Sequence, residues 1–157
     1  MKKNIELSVG VLKSICKSCG EVFDDYGLSD FAYGERLLLT EDGIDYAYVN
    51  CFEDKVFNEI NEIVKKLFKK GNGDQAECFN RVLGLACDLI NGKRIDATRK
   101  DKSCNKCGSE KLETTYYEPP KTAKISIPIL TYDEWERKTS EEKEAFIANA
   151  LKEKGCL

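Results

Sequence analysis

Cys16-Lys17-Ser18-Cys19-Gly20 and Cys104-Asn105-Lys106-Cys107-Gly108 are the segments of this 157-residue chain whose residue types and spacing can do chemistry together. In a CxxCG turn the first thiolate is followed by a tight bend, the glycine takes a conformation costly for other residues, and both sulfurs face one centre. Two such turns offer four thiolates in a tetrahedron, the donor set of a closed structural zinc site. The chain has no histidine. That excludes Ser-His-Asp and Cys-His catalysis, histidine-ligated zinc and sites of two histidines with a carboxylate.

Two other uses of the same thiols stay open, iron held by four thiolates and redox chemistry. A thioredoxin-like pair needs a helix starting at its CxxC. Here Gly20-Glu21-Val22-Phe23 reads as turn and strand. With a strand after each CxxCG turn, the chain resembles the zinc-ribbon proteins over about residues 9–24 and 102–118. The resemblance implies two knuckles on adjacent β-hairpins, with Cys16, Cys19, Cys104 and Cys107 holding one structural Zn2+. Rubredoxins resemble the knuckles too and would put iron there, but they are much smaller chains.

The departure from a plain ribbon is the 84 residues between Cys19 and Cys104. Lengthening a loop from roughly 15 to roughly 84 residues adds only about 1.5 kcal/mol of closure entropy. Structural zinc is worth about 10–16 kcal/mol in finger peptides, so a split ribbon with a folded insert is feasible. Among the other cysteines, Cys51, Cys78 and Cys87 read as small buried apolar residues. Cys78 and Cys87 would lie on opposite faces of one helix, and Cys156 in a fraying tail.

The elements that must position the knuckles follow from periodicity. Ile5, Leu7, Val9 and Val11 alternate with Glu6, Ser8 and Gly10, predicting a strand into the first knuckle and a short return at Val22-Phe23. A hairpin is predicted from residues 35–40 and 44–51 around Glu41-Asp42-Gly43. One amphipathic helix opens at Asp54 and runs to Lys70 before Gly71; a second opens at Asp74 with a capping box to Glu77, buries Phe79, Val82, Leu83, Ala86, Leu89 and Ile90, and ends at Asn91-Gly92. Residues 112–117 read as a strand closed by Pro119-Pro120, and Ile125, Ile127 and Ile129 as an edge strand or strap. Capping boxes Thr131/Glu134 and Thr139/Glu142 predict a helical turn at Trp135 and a helix over 140–154. The expected fold is α+β in one domain, 1–157: ribbon 5–23 and 102–118, insert 24–101, C-terminal strap and helix 119–157.

Charge is uneven although the net is only −3. Residues 24–52 hold seven carboxylates (Asp24, Asp25, Asp30, Glu35, Glu41, Asp42, Asp45) against Arg36; residues 93–111 hold seven cations against Asp96, Asp101 and Glu110. The simplest reading is solvated surface, with the two segments facing each other. Two functional readings compete with it. Tyr26, Phe31, Tyr33, Tyr46 and Tyr48 among the carboxylates suit the docking of a basic protein partner, unless they are core residues of the hairpin. Lys93, Arg94, Arg99, Lys100 and Lys102 beside the second knuckle suit nucleic acid, with Tyr116-Tyr117 beyond.

An enzyme is not expected. A zinc closed by four cysteines has no open position to activate water, and neighbouring carboxylates such as Asp24 and Asp25 do not by themselves make an acid/base pair. No phosphate-cradling loop or nucleophile motif occurs. The N-terminal residues carry no signal-like apolar run, Val82–Cys87 is too short to span a membrane, and Cys156 is the penultimate residue, where a prenylation pattern needs a cysteine fourth from the end. These features predict a soluble cytoplasmic protein, where CxxC pairs read as metal ligands rather than disulfides. The reading is a non-catalytic, zinc-held interaction protein, a small regulator or an antitoxin-like or immunity-like protein. The alternative is a nucleic-acid-associated ribbon factor using the basic stretch.

Overall fold

The structure, a computed structural model, describes residues 3–28, 33–68 and 73–157. Phe31 of the aromatic set and the expected end of the first helix at Lys70-Gly71 lie outside the described residues. The elements are β1 (Asn4–Cys16), β2 (Val22–Gly27), β3 (Glu35–Thr40), β4 (Tyr46–Asn50), α1 (Lys55–Leu67), α2 (Gln75–Ala86), β5 (Ile95–Asp96), β6 (Leu112–Pro128), α3 (Asp133–Glu136) and α4 (Ser140–Glu153). The fold is α+β, with two antiparallel sheets of order β2-β1-β6 and β4-β3-β5.

The first sheet brings the knuckles together. β1 pairs with β2 from Ile15↔Val22 to Gly10↔Gly27, and with β6 from Cys16↔Leu112 to Asn4↔Pro128. Cys16 thus ends one strand directly opposite the residues that follow the second knuckle, and the ladder bridges the long insertion. β6 corrects the sequence reading: Pro119-Pro120 do not close the strand. Val11 pairs with Lys121 and Leu12 with Tyr116, so residues 117–120 bulge out and pairing resumes beyond them. Prolines are tolerated because β6 is an edge strand and its outer N–H groups have no ladder partner to lose.

The insert forms the hairpin and both helices. Asp54 caps α1 by accepting from the Phe57 amide, and Asp74 caps α2 by accepting from Ala76 and Glu77. Glu77 does not complete the expected capping box; its carboxylate takes Arg81 at 2.7 Å. α2 also stops short of Asn91. The Asp88 amide donates to the Thr131 carbonyl, and the Asp88 carboxylate accepts from the Thr131 hydroxyl and the Asp133 amide. These bonds pull the chain out of the helix and leave Leu89, an expected core residue, 48% exposed. They also use the Thr131 hydroxyl, so α3 has no side-chain cap. The Thr139/Glu142 box forms as expected.

One core joins the insert to the C-terminal segment. Val49, Ile60, Val64, Val82, Leu83, Trp135, Ile147 and Leu151 are buried in it, with Phe57 and Phe79 edge-to-face at 4.8 Å. α3 and α4 therefore pack on the helices of the insert, whereas residues 121–128 of the expected strap pair with β1 of the ribbon. Gly84 lets this core close. A β-carbon there would collide with the carbonyl oxygen of Ile95, so β5 lies directly on the α2 backbone. Gly84→Ala is expected to cost about 2–3 kcal/mol, as overpacking against an unyielding backbone does, despite alanine's better helix propensity. Chemical denaturation checks it, and a neutral or stabilising result would contradict the close approach.

Cys156 is another correction. Gly155 (φ +75°) ends α4, its amide donating to Lys152 and that of Cys156 to Leu151. This Schellman closure folds residue 156 back onto the last turn. Cys156 is fully buried and disulfide-bonded to Cys78 of α2, with Cα atoms 6.1 Å apart, rather than lying in a fraying tail. Cys87 is buried just past the end of α2, so the opposite-face argument, which assumed one helix through both cysteines, does not apply.

Candidate metal centre

Each knuckle is built by the same backbone bonds. The Cys16 amide donates to Glu21 and the Gly20 amide to Cys16, both at 2.9 Å; the Cys104 amide donates to Ser109 and the Gly108 amide to Cys104, again at 2.9 Å. Gly20 and Gly108 sit at φ +80° and +76°, the left-handed region that a side chain would strain. The Lys17 amide donates to Lys111 across the pair, and the hydroxyls of Ser18 and Ser109 lie 2.9 Å apart.

The four sulfurs of Cys16, Cys19, Cys104 and Cys107 lie within 4.8 Å of one another. Cys16 Sγ is 3.5 Å from Cys107 Sγ, and Cys19 Sγ 3.7 Å from Cys104 Sγ. Zinc–sulfur bonds of about 2.3 Å at tetrahedral angles set sulfurs about 3.8 Å apart, so the group fits a tetrahedral metal ion. Cys16 and Cys104 are buried, while Cys19 and Cys107 face solvent.

Backbone amides shape the acidity of these thiols. The Cys19 amide, helped by Ser18, holds Cys16 at about 6 against its desolvation. The Cys107 and Lys106 amides lower Cys104 in the same way. Cys19 moves oppositely: the Glu21 amide lowers it, but desolvation and three adjacent sulfurs raise it to about 12. Cys107 is raised too, because Cys16 and desolvation outweigh the Ser109 amide. Thiols this close cannot all ionise by themselves, whereas a divalent cation takes all four as thiolates.

A lysine ties the centre to the insert. Lys102, only 6% exposed, donates to Asn105 Oδ1 and to the Ser103 carbonyl. Its ammonium lies 5.1 Å from the Phe23 ring centre of β2 and 6.0 Å from that of Tyr46 in β4. The Tyr46 hydroxyl donates to Asp25, and its ring meets Tyr26 edge-on at 6.4 Å. Burial and the Asp25 carboxylate push the Tyr46 hydroxyl pKa upward.

The remaining candidate residues are dispersed. Among the expected nucleic-acid ligands, Lys93 bonds Asp42 at 2.7 Å and Asp45 at 2.6 Å, Arg99 bonds Glu110 at 2.6 Å, and Lys102 is buried. Arg94 and Lys100 are exposed. The acidic and basic segments therefore meet at Lys93. Of the expected partner-binding tyrosines, Tyr48 is core, its hydroxyl donating to Glu35 at 2.7 Å, and Tyr26 and Tyr46 are half-buried at the junction. Tyr33 is 80% exposed, as is Phe52 at 73%. The sequence reading missed Phe52; Asn50 two residues before it, at a strand end, is the turn signal that marks it.

The Asp42–Lys93 contact has a pH signature. Burial opposes the Asp42 charge, but Lys93, the Thr40 hydroxyl and the Ile44 amide outweigh it and hold the carboxyl at about 2, below its ordinary 3.8. A depressed acid stabilises the fold above its unfolded pKa and loses that contribution as pH falls through the folded one. Wild type and Asp42→Asn are thus expected to differ in stability above about pH 4 and to converge as pH falls through about 2. Parallel denaturation curves check this, and a pH-independent difference would contradict it.

Comparison with protein-family models, curated proteins and solved structures finds no match for this chain.

Proposed function

We propose that the chain is a non-catalytic interaction protein of zinc-ribbon type, in which one structural Zn2+ on Cys16, Cys19, Cys104 and Cys107 clamps the two ends of a large insert. Four thiolates saturate a tetrahedral ion, which would leave it no position for substrate or water. The ion's role is then to hold β1, β2 and β6 in register.

The observation carrying the interaction reading is the aromatic end of the second sheet. The Phe52 ring lies across Gly34, where an added β-carbon would meet it at 2.6 Å, and Gly34 follows exposed Tyr33 in the chain. Asn50 Oδ1 accepts from the amides of Phe52 and Glu53 at 3.0 and 3.3 Å and turns this corner outward. Glu35 and Glu53 flank the rings in sequence. Exposed aromatics give contact area at low entropy cost, and carboxylates steer a basic partner onto them.

The test is capture of a partner from the native source, repeated with Tyr33→Ala and Phe52→Ala. Each variant is expected to keep wild-type stability and to lose about tenfold or more in partner affinity, as central aromatic anchors do. Equal affinity in both variants would move the interface elsewhere. The nucleic-acid alternative rests on Arg94, Lys100, Lys106 and Lys111, all exposed, and predicts a steep fall of binding with salt.

A further inference from the structure

The four cysteines of the metal centre divide by accessibility and by neighbour. Cys19 and Cys107 are exposed, whereas Cys16 and Cys104 are buried. Each exposed sulfur touches a buried one of the other knuckle: Cys107 Sγ lies 3.5 Å from Cys16 Sγ, and Cys19 Sγ 3.7 Å from Cys104 Sγ. Bonds that need no ion hold the knuckles side by side, the Lys17 amide on the Lys111 carbonyl and the Ser18 hydroxyl against that of Ser109. The sulfurs are thus placed to bond one another as an ion leaves, before the strands part.

An accessible thiolate beside a second cysteine is the arrangement in which an oxidant takes the first sulfur and the second resolves it. All four sulfurs act as thiolates when they hold a metal ion. The other thiols compete poorly. Burial pushes the Cys87 pKa up to about 12 and raises that of Cys51 as well. Cys78 and Cys156 are already joined, a bond that persists where thiols are not kept reduced.

We propose that the four-cysteine centre is a site of reversible oxidation by hydroperoxides, in which two disulfides across the knuckles, Cys16–Cys107 and Cys19–Cys104, take over the clamp from the metal. The inference rests on the zinc reading above. The Cys107 thiolate attacks one peroxide oxygen; the O–O bond breaks, and the departing hydroxide takes a proton to become water, leaving a sulfenic acid. The Cys16 thiolate then attacks that sulfur and displaces a second hydroxide, which is protonated in turn. The two sulfurs lose two electrons and the peroxide gains them. Cys19 and Cys104 repeat the sequence with a second peroxide, after which no thiolate remains to hold an ion. These bonds join residues 91 and 85 apart, so they keep both ends of the insert together, whereas a bond within one CxxC would not.

The test adds hydrogen peroxide stepwise to the zinc-loaded protein, reads released zinc with a colorimetric chelator and maps the bonds by mass spectrometry. Lys17 lies between Cys16 and Cys19, and Lys106 between Cys104 and Cys107, so trypsin places each of the four on its own peptide. About one zinc per chain is expected to be released by about two equivalents of peroxide, with the peptides joined as Cys16–Cys107 and Cys19–Cys104. Reduction in the presence of zinc should restore the metal. Amides of β1 and β6 should keep their exchange protection after oxidation and lose it when the reduced protein is stripped by a chelator. Bonds within either knuckle, sulfinic acids without bonds, or zinc retained at about a tenfold excess of peroxide would overturn the proposal. Zinc is assayed before any peroxide is added, so its absence at that first step would defeat the zinc reading itself, and this inference with it.

Discussion

Cys104→Ser, purified without added metal, is expected to carry far less zinc than the wild type, which should hold about one ion per chain, and to lose the β2-β1-β6 sheet. Cys104 is one of four sulfurs within 4.8 Å and is fully buried, so serine neither replaces the soft ligand nor leaves the other three a closed shell. Structural zinc contributes about 10–16 kcal/mol in finger peptides, well above the few kcal/mol of a core substitution. The loss should be local first. The core around Ile60, Val82, Trp135 and Ile147 is built from the insert and tail and includes no residue of the knuckles. Elemental analysis with hydrogen exchange checks both parts: amides of β1 and β6 should lose protection while those of α1 keep it. A well-folded, metal-free wild type would defeat the metal reading and return the four thiols to redox chemistry. A coloured, iron-loaded protein would make it an electron-transfer site.

Cys156→Ser is expected to be the second largest effect. The disulfide closes a loop of 78 residues, for which the chain-entropy relation gives about 4.5 kcal/mol, and measured values commonly fall between about 2 and 4. At about 2–4 °C per kcal/mol for a domain of this size, the melting temperature should drop by roughly 10 °C. Cys78→Ser should match it, the double variant should be no worse than either single one, and a reductant without chelating power should bring the wild type to the same value. Zinc content should stay unchanged, because the two sulfurs belong to the core and not to the knuckles. A reduced wild type that melts where the oxidised protein does would show that the bond adds nothing.

The four-cysteine group, the hairpin, the helix starts and the C-terminal helix were legible in the sequence because each depends on interactions within a few residues. A CxxCG turn bends its own backbone, Asp54 caps its own helix, and Asp42-Gly43 turns its own hairpin. The Thr139/Glu142 box closes over one turn for the same reason. Gly155 was legible as a helix end, but the Schellman closure that turns Cys156 inward onto Cys78 was not, and residue 156 read as a fraying tail.

Long-range contacts decided the rest. Whether α2 continued to Asn91 depended on Thr131 and Asp133, more than forty residues away, competing for Asp88. Whether Pro119-Pro120 ended a strand depended on β1 offering pairs on both sides of the bulge. Sequence also could not separate aromatic surface from aromatic core in the acidic segment. Alternation tells which residues share a face, but only packing showed that Tyr48 is covered while Tyr33 and Phe52 are open. Likewise the basic stretch is one run in sequence and several environments in space, since Lys93 is drawn to Asp42 and Asp45 and Lys102 lies between rings from both sheets. By itself the sequence determined which four sulfurs can share an ion, because donor type and local bend fix that. Only the tertiary structure decided which charges and rings remain for a partner, because that depends on what the rest of the chain has already covered.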